Sequence, residues 1–227
     1  RSGQGAPSRP EARTMSGDLF ATQRRAERLG PGTVLLHAFA CAEAGAVLGE
    51  IEKIIALAPF RRMQTPGGHH LSVAMSNCGE LGWLSDAAGY SYVATDPQSG
   101  LPWPAMPDLL RDLAGRAAAA AGFAGFVPDA CLINRYVPGA KMALHQDRDE
   151  RDLAAPIVSL SLGLPAVFLF GGLARRDKPG HLALEHGDVL VWGGPDRLRF
   201  HGVLPVKEGC HPLLGGQRLN LTFRKAG

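Results

Sequence analysis

The chain has 227 residues, 45% of them hydrophobic and 20% charged, which is enough for one domain with a sizeable core. The formal net charge is +3, and Arg1, Arg9 and Arg13 against Glu11 supply +2 of it before Met15, so global charge argues nothing about nucleic acid. The cysteines Cys41, Cys78, Cys131 and Cys210 form no C-x-x-C pair, no apolar run approaches a membrane span and no export signal is evident, so a soluble protein of the reducing cytoplasm is expected rather than a disulfide scaffold, thiolate zinc module or membrane protein.

Residues 1–14 are rich in Gly, Ser, Pro and Arg without apolar periodicity and read as a disordered tail or cloning remnant ahead of a natural start at Met15. Val47, Ile51, Ile54, Ile55 and Ala58 recur at helical spacing before Pro59, which predicts an amphipathic helix over 42–58. Residues 63–104, with Gly67-Gly68, Gly79, Gly82, Gly89 and several prolines among aromatics, read as a loop-rich flap with short strands. A second helix is predicted over about 107–121, with Leu109, Leu110 and Leu113 as its stripe and Gly122 as its stop. After Pro128 come short β-rich runs at 130–137, 156–163, 166–171, 181–185, 188–192, 200–206 and 217–224, the texture of a β-sandwich or barrel. No internal repeat is visible, so residues 15–227 read as a single domain with its core over about 128–227.

Two histidines and a carboxylate, His145, Asp147 and the distant His201, leave coordination positions of a metal open, the arrangement that suits ferrous iron, a chelating co-substrate and dioxygen. A second H-x-D unit, His186-Gly187-Asp188, has a poorer choice of third ligand and reads as a tight hairpin turn in which Gly187 supplies an unusual backbone angle. His69 and His70 follow Gly67-Gly68 in a loop without a supporting carboxylate and are left out of the site.

Side chains two apart on a strand share a face, so Asn134 and Tyr136 converge, and Arg218, Asn220, Thr222 and Arg224 line up opposite Leu219, Leu221 and Phe223. That polar row is either a solvated surface or the lining of a polar lumen that offers two guanidiniums to a dicarboxylate, and the pattern alone does not choose. Arg61-Arg62, Arg148 with Arg151, and Arg175-Arg176 with Lys178 are the local basic patches, each read first as solvated charge.

Taken together and in this order, Thr65-Pro66-Gly67-Gly68, Val73-Ala74-Met75, Gly82-Trp83, Pro102-Trp103-Pro104, Asn134-Arg135-Tyr136, His145-x-Asp147 and Arg218-x-Asn220-x-Thr222-Phe223-Arg224 resemble the bacterial AlkB-type dealkylases from roughly Met15 to the end. The resemblance implies a mainly β fold with flanking helices, a double-stranded β-helix or jelly roll with an N-terminal helical and flap extension. It implies Fe(II) held by His145, Asp147 and His201, with 2-oxoglutarate and O2 as co-substrates. Arg218 would pair with the distal carboxylate, while Asn134, Tyr136, Asn220 and Arg224 complete the cradle.

The implied reaction is oxidative demethylation of N-alkylated bases of the 1-methyladenine and 3-methylcytosine type, releasing formaldehyde, succinate and CO2. Single-stranded DNA is the expected partner, with RNA and duplex DNA as further candidates, and a monomer is expected. By the same similarity Trp83 stacks on the base, Met75 and Tyr90 line its pocket, His145 forms the opposite wall and Asp149 faces the polar edge. Thr65, Tyr92 and Arg175 are assigned backbone or phosphate contacts. Leu219 and Glu80 depart from the pattern, the first standing where an aromatic is expected and the second adding acid where a phosphate backbone would pass. Two other readings keep a place: an oxygenase acting on a protein side chain or small molecule, and a binding module whose triad is structural.

Overall fold

A computed structural model describes residues 25–227. The expectations placed on residues 1–14 and on Met15 lie outside the described residues. Strands β1 (Arg25–Gly30) and β2 (Thr33–His37) form an antiparallel hairpin that the sequence reading did not anticipate. Helix α1 (Ala44–Leu57) follows a 3-10 turn at Cys41–Glu43, and buries Ala44, Val47, Ile51 and Ile54 along the expected stripe. It stops because Ala58, ahead of Pro59, leaves the helical region (φ −127, ψ 83).

Strands β3 (Ala74–Gly79), β4 (Gly82–Asp86) and β5 (Gly89–Val93) come next, then α2 (Asp108–Ala120). Gly122 takes φ +97 and ends α2, with its N–H on Ala119 and that of Phe123 on Ala118, a left-handed cap that a side chain would strain. The remaining strands are β6 (Ala130–Tyr136), β7 (Met142–His145), β8 (Ile157–Gly163), β9 (Ala166–Phe170), β10 (Gly180–Leu184), β11 (Val189–Trp192), β12 (His201–Val203) and β13 (Arg218–Arg224). Of these only β7 was missed, because four residues give too short an alternation to read.

Seven strands form the major sheet, in the order β1-β2-β11-β8-β13-β6-β3, and four form the minor sheet, β10-β9-β12-β7; every pairing is antiparallel. This is the jelly-roll architecture, with helices added on one side. The segment assigned to the flap is divided: β3 joins the major sheet beside β6, and β4 with β5 forms a separate two-stranded hairpin.

Two apolar clusters explain the layering. Leu110, Leu113, Val47 and Ile51 of the helices pack on Ile133, Leu160, Leu219, Leu221 and Phe223 of the major sheet. Met75, Leu132, Phe168, Leu190, Trp192 and Val203 fill the space between the sheets. β13 is buried along its whole length, so its apolar face meets the helices and its polar face meets the minor sheet. The polar row is therefore the lumen lining, and Leu219 lies on the helix side, where it cannot alter the lumen.

The turn at Glu185–Asp188 corrects an expectation. It is no hairpin, because β10 pairs with β9 while β11 pairs with β2 and β8, so the turn carries the chain from one sheet to the other. Gly187 does adopt φ +84, and Asp188 caps the turn by accepting the Glu185 N–H at 2.9 Å.

Candidate active site

His145 ends β7 and His201 opens β12, and the two are direct cross-strand partners. Side chains of such a pair stand on one face a few ångströms apart, here with ring centroids 4.4 Å apart. Gly202 makes the close strand approach possible, since a Cβ there would come within 2.7 Å of the Met142 carbonyl oxygen. Asp147 lies two residues past β7 and turns inward, so that ligand atoms of His145, Asp147 and His201 all lie within 4.8 Å of one another. Its carboxylate is 3.6 Å from His145 Nε2 and 3.7 Å from His201 Nε2.

Backbone carbonyls fix both imidazoles. His145 Nδ1 donates to Ala143 at 2.9 Å and His201 Nδ1 to Arg199 at 3.0 Å, which leaves each Nε2 with its lone pair toward Asp147. Burial, helped by His145, pushes His201 down to about 4 against the pull of Asp147, so it is neutral at pH 7. Burial alone would raise Asp147, but Arg224, His201 and His145 override it and hold the carboxyl well below the usual range. The neutral His201, the His145 imidazole with its Nε2 turned to Asp147, and the ionised carboxylate form the donor set for a ferrous ion with open positions.

The polar row of β13 meets β6 in register, Asn220 opposite Asn134 and Arg218 opposite Tyr136. Asn134 Nδ2 donates to Asn220 Oδ1 at 3.3 Å, and Asn220 donates to Ser159 Oγ at 2.8 Å and to the Leu160 carbonyl at 3.0 Å. Arg218 is 1% exposed and donates only to neutral acceptors, Ser161 Oγ at 2.8 Å and the Leu164 carbonyl at 3.4 Å. Its Nε has no partner, and among the described residues no carboxylate lies within salt-bridge distance. Burial pushes this cation down to about 10, opposed by Tyr136 and Asp188, and burial pushes Tyr136 up to about 12, opposed by Arg218. A sealed guanidinium without an anion, beside a protonated phenol, is the cradle a carboxylate would complete. Arg224, at the other end of the row, holds Asp147 Oδ2 through Nη2 at 2.7 Å and Nε at 3.1 Å.

These groups surround a cavity of about 780 Å³. The triad, Asn134, Tyr136, Asn220 and Arg224 line it, as do Met75, Trp83, Tyr90, Thr65, Asp149 and Arg175; Arg218 is not among the lining residues, and its strand partner Tyr136 is. Trp83 and Tyr90 stack across the β4–β5 hairpin, centroids 5.6 Å apart and planes 14° apart. Asn77 of β3 grips the Trp83 backbone with two 3.0 Å hydrogen bonds. Tyr92 does not line the cavity; its hydroxyl donates to Glu150 Oε1 at 2.8 Å. Burial holds that hydroxyl well above its ordinary range, with Arg224 opposing and Glu150 and Asp147 adding to the rise, so it stays a donor.

Several residues fall elsewhere than the sequence suggested. His70, left out of the site, borders the cavity. Arg61 is not available for phosphate, because it forms a bidentate pair with Asp96 at 2.6 and 2.7 Å and lies over Trp103. Glu80 does not line the cavity; its charge acts on Lys225, which pairs with Asp129 at 2.7 Å. His186 is structural, accepting the Gly163 N–H and stacking on His211 at 4.3 Å. Ser159, Ser161, Glu150 and Arg197 were missed; Glu150, three residues past Asp147, and Arg197, four before His201, were near enough to the triad to be weighed with it.

The model of the 2OG-Fe(II) oxygenase superfamily matches residues 32–224. Over 211 residues the chain is 56% identical to the alpha-ketoglutarate-dependent dioxygenase AlkB of Escherichia coli, an alignment covering 92% of this chain and 98% of that one. The chain belongs to the 2OG-Fe(II) oxygenase superfamily. Within it, this is a bacterial AlkB-type Fe(II)- and 2-oxoglutarate-dependent dioxygenase. It is also 31% identical to the tRNA demethylase abh1 of Schizosaccharomyces pombe over 142 residues, 61% of this chain and 47% of that one. The solved structure of OsALKBH1 superposes with a TM-score of 0.77 at 33% identity, covering 88% of this AlkB-type chain and all of that one. The donor set and the unpaired Arg218 fit the iron and the dicarboxylate that the superfamily uses.

Proposed function

We propose that this dioxygenase removes N-alkyl groups from 1-methyladenine- and 3-methylcytosine-type bases in single-stranded DNA, restoring the base without cutting the strand. The observation that carries the reading is the Trp83–Tyr90 stack, which projects an aromatic platform into the same cavity as the metal triad. A flat face opposite an iron site is what a base taken out of its stack requires. Such methylated bases are cationic, and Asp149 on the rim supplies the matching charge. The demethylase and dioxygenase names of the relatives support a nucleic-acid substrate, and the tRNA enzyme supports RNA as a second one.

Iron and 2-oxoglutarate bound together supply the O2-dependent oxidation of the N-alkyl carbon, with formaldehyde, succinate and CO2 as products. The chain's own residues set where that happens. His145, Asp147 and His201 hold the metal, Arg218 with Tyr136 takes the distal carboxylate, and Arg224 with Asn134 and Asn220 orients the other end. Met75, Trp83 and Tyr90 place the base, while Arg175 and Thr65 contact the strand near the rim. The proposal includes a monomer working in the cytoplasm, whose reducing poise suits thiols held in no disulfide. In the decisive comparison, a single-stranded oligonucleotide carrying one 1-methyladenine stimulates succinate formation and releases formaldehyde, while the unmodified oligonucleotide does neither. Equal response to both would send the search to a protein or small-molecule substrate.

A further inference from the structure

Glu150 and Arg197 are buried ions that the chemistry above leaves without a task. The Glu150 side chain is 2% exposed and that of Arg197 3%, and they pair at 3.0 Å. Arg197 also donates to the Asp147 carbonyl at 2.5 Å and to the Ala155 carbonyl at 3.0 Å, so it staples the loop that carries the metal carboxylate. Buried ion pairs are weak evidence for stability, because well-packed apolar residues serve that end as well, and positional specificity is the better-founded use. The partners of Glu150 show what is being positioned.

A single oxygen of Glu150, Oε1, accepts from the Tyr92 hydroxyl at 2.8 Å and lies 3.2 Å from Arg224 Nε. The same Arg224 Nε is 3.1 Å from Asp147 Oδ2. Arg224 is thus divided between the metal carboxylate and Glu150, and Tyr92 shares the Glu150 oxygen. Tyr92 lies on β5 directly opposite Trp83 on β4, and Asn77 grips the Trp83 backbone from β3. The hairpin is therefore anchored at one cross-strand pair, by Asn77 on one side and by Glu150 on the other. Asp147 and Glu150 share one Arg224 Nε, and the Glu150 oxygen facing it is the one that Tyr92 binds, so a change in the charge demand on Asp147 would be passed along these contacts.

We propose that Glu150 is a positioning residue that joins the Trp83–Tyr90 hairpin to the metal carboxylate through Arg224, with Tyr92 as its contact on the hairpin. Loading of the metal site is then felt at the aromatic platform. The inference rests on the dioxygenase reading of the triad and not on the identity of the substrate.

Hydrogen exchange of the intact protein tests it, with and without Mn(II) and 2-oxoglutarate. In the native protein, loading changes exchange across residues 82–93 by at least about threefold, beside the protection expected at 218–224. In Tyr92→Phe, which removes one hydroxyl, the response at 82–93 disappears while that at 218–224 is retained. Glu150→Gln loses the hairpin response and also binds Mn(II) more weakly; if it fails to fold, Tyr92→Phe decides alone. An unresponsive hairpin in the native protein, or an undiminished response in Tyr92→Phe, overturns the proposal. Absence of demethylation by the native protein leaves this readout intact and counts against the substrate reading instead.

Discussion

At the scale of single residues, the triad and the two arginines make separable predictions. His145→Ala or Asp147→Ala abolishes iron-dependent turnover of 2-oxoglutarate and leaves the fold intact, because an open-site metal does not hold two sheets together. Circular dichroism and a succinate assay check both halves, and full activity in either variant rejects the ligand assignment. His201 carries a pH signature. Burial holds its folded-state pKa down to about 4, below the ordinary histidine value of 6.5, so the unfolded chain binds protons more readily. The stability this group contributes is whole above about pH 6.5 and is lost as pH falls toward 4. Asp147, also depressed, adds its loss only below the ordinary aspartate value of 3.8. Denaturant midpoints of the metal-free protein therefore fall from pH 7 to 4.5, and more shallowly in His201→Asn. Parallel slopes in the two proteins would show that His201 is not held neutral. Trp83→Ala weakens a methylated oligonucleotide by ~1–3 kcal/mol, the worth of a base–aromatic stack, and leaves 2-oxoglutarate affinity unchanged. Titration of both ligands checks it, and an unaltered oligonucleotide affinity moves the base elsewhere.

At the scale of elements, the helices stabilise and the strands position. Leu113, fully buried between α2 and the major sheet, costs ~2–5 kcal/mol when cut to alanine, with co-substrate affinity unchanged in the folded fraction. Gly202→Ala behaves in the opposite way: its Cβ pushes β12 from β7 and separates His201 from His145, so metal affinity falls by more than stability does. The helices and most strands were legible because apolar patterning survives in α1, α2, β6 and β8 to β13. The polar row of β13 was legible as a row but not as a lumen, since the helices that cover its other face are set by tertiary packing. The four residues of β7 were too few to show a period, although His145 at their end stood out. Local signals also misread Glu185–Asp188 as a hairpin, because a tight turn does not reveal whether its strands pair with each other or with strands elsewhere. Glu150 and Arg197 escaped because their meaning depends on Tyr92 and Arg224, which are distant in the chain.

At the scale of the whole molecule, a net charge of +3 gives little long-range pull on nucleic acid, so the proposed substrate strand would have to be held by local cations. Lys141, Arg148 and Arg175 line the cavity. Arg175→Ala weakens methylated and unmodified oligonucleotides alike, and lowers the log–log salt slope of binding by about one. A loss confined to the methylated strand would instead make Arg175 a base contact. The two sheets hold the candidate metal triad, and the Trp83–Tyr90 hairpin borders the same cavity, so on the proposed function the fold supplies the oxidation site and the hairpin the choice of substrate.

The most direct measurement is mass spectrometry of a single-stranded oligonucleotide bearing one 1-methyladenine, incubated with the protein, ferrous iron, 2-oxoglutarate and air, with each component omitted in turn. Loss of the methyl group in the complete mixture alone is the predicted result. Succinate formed in that mixture while the methyl group stays on the base would contradict it.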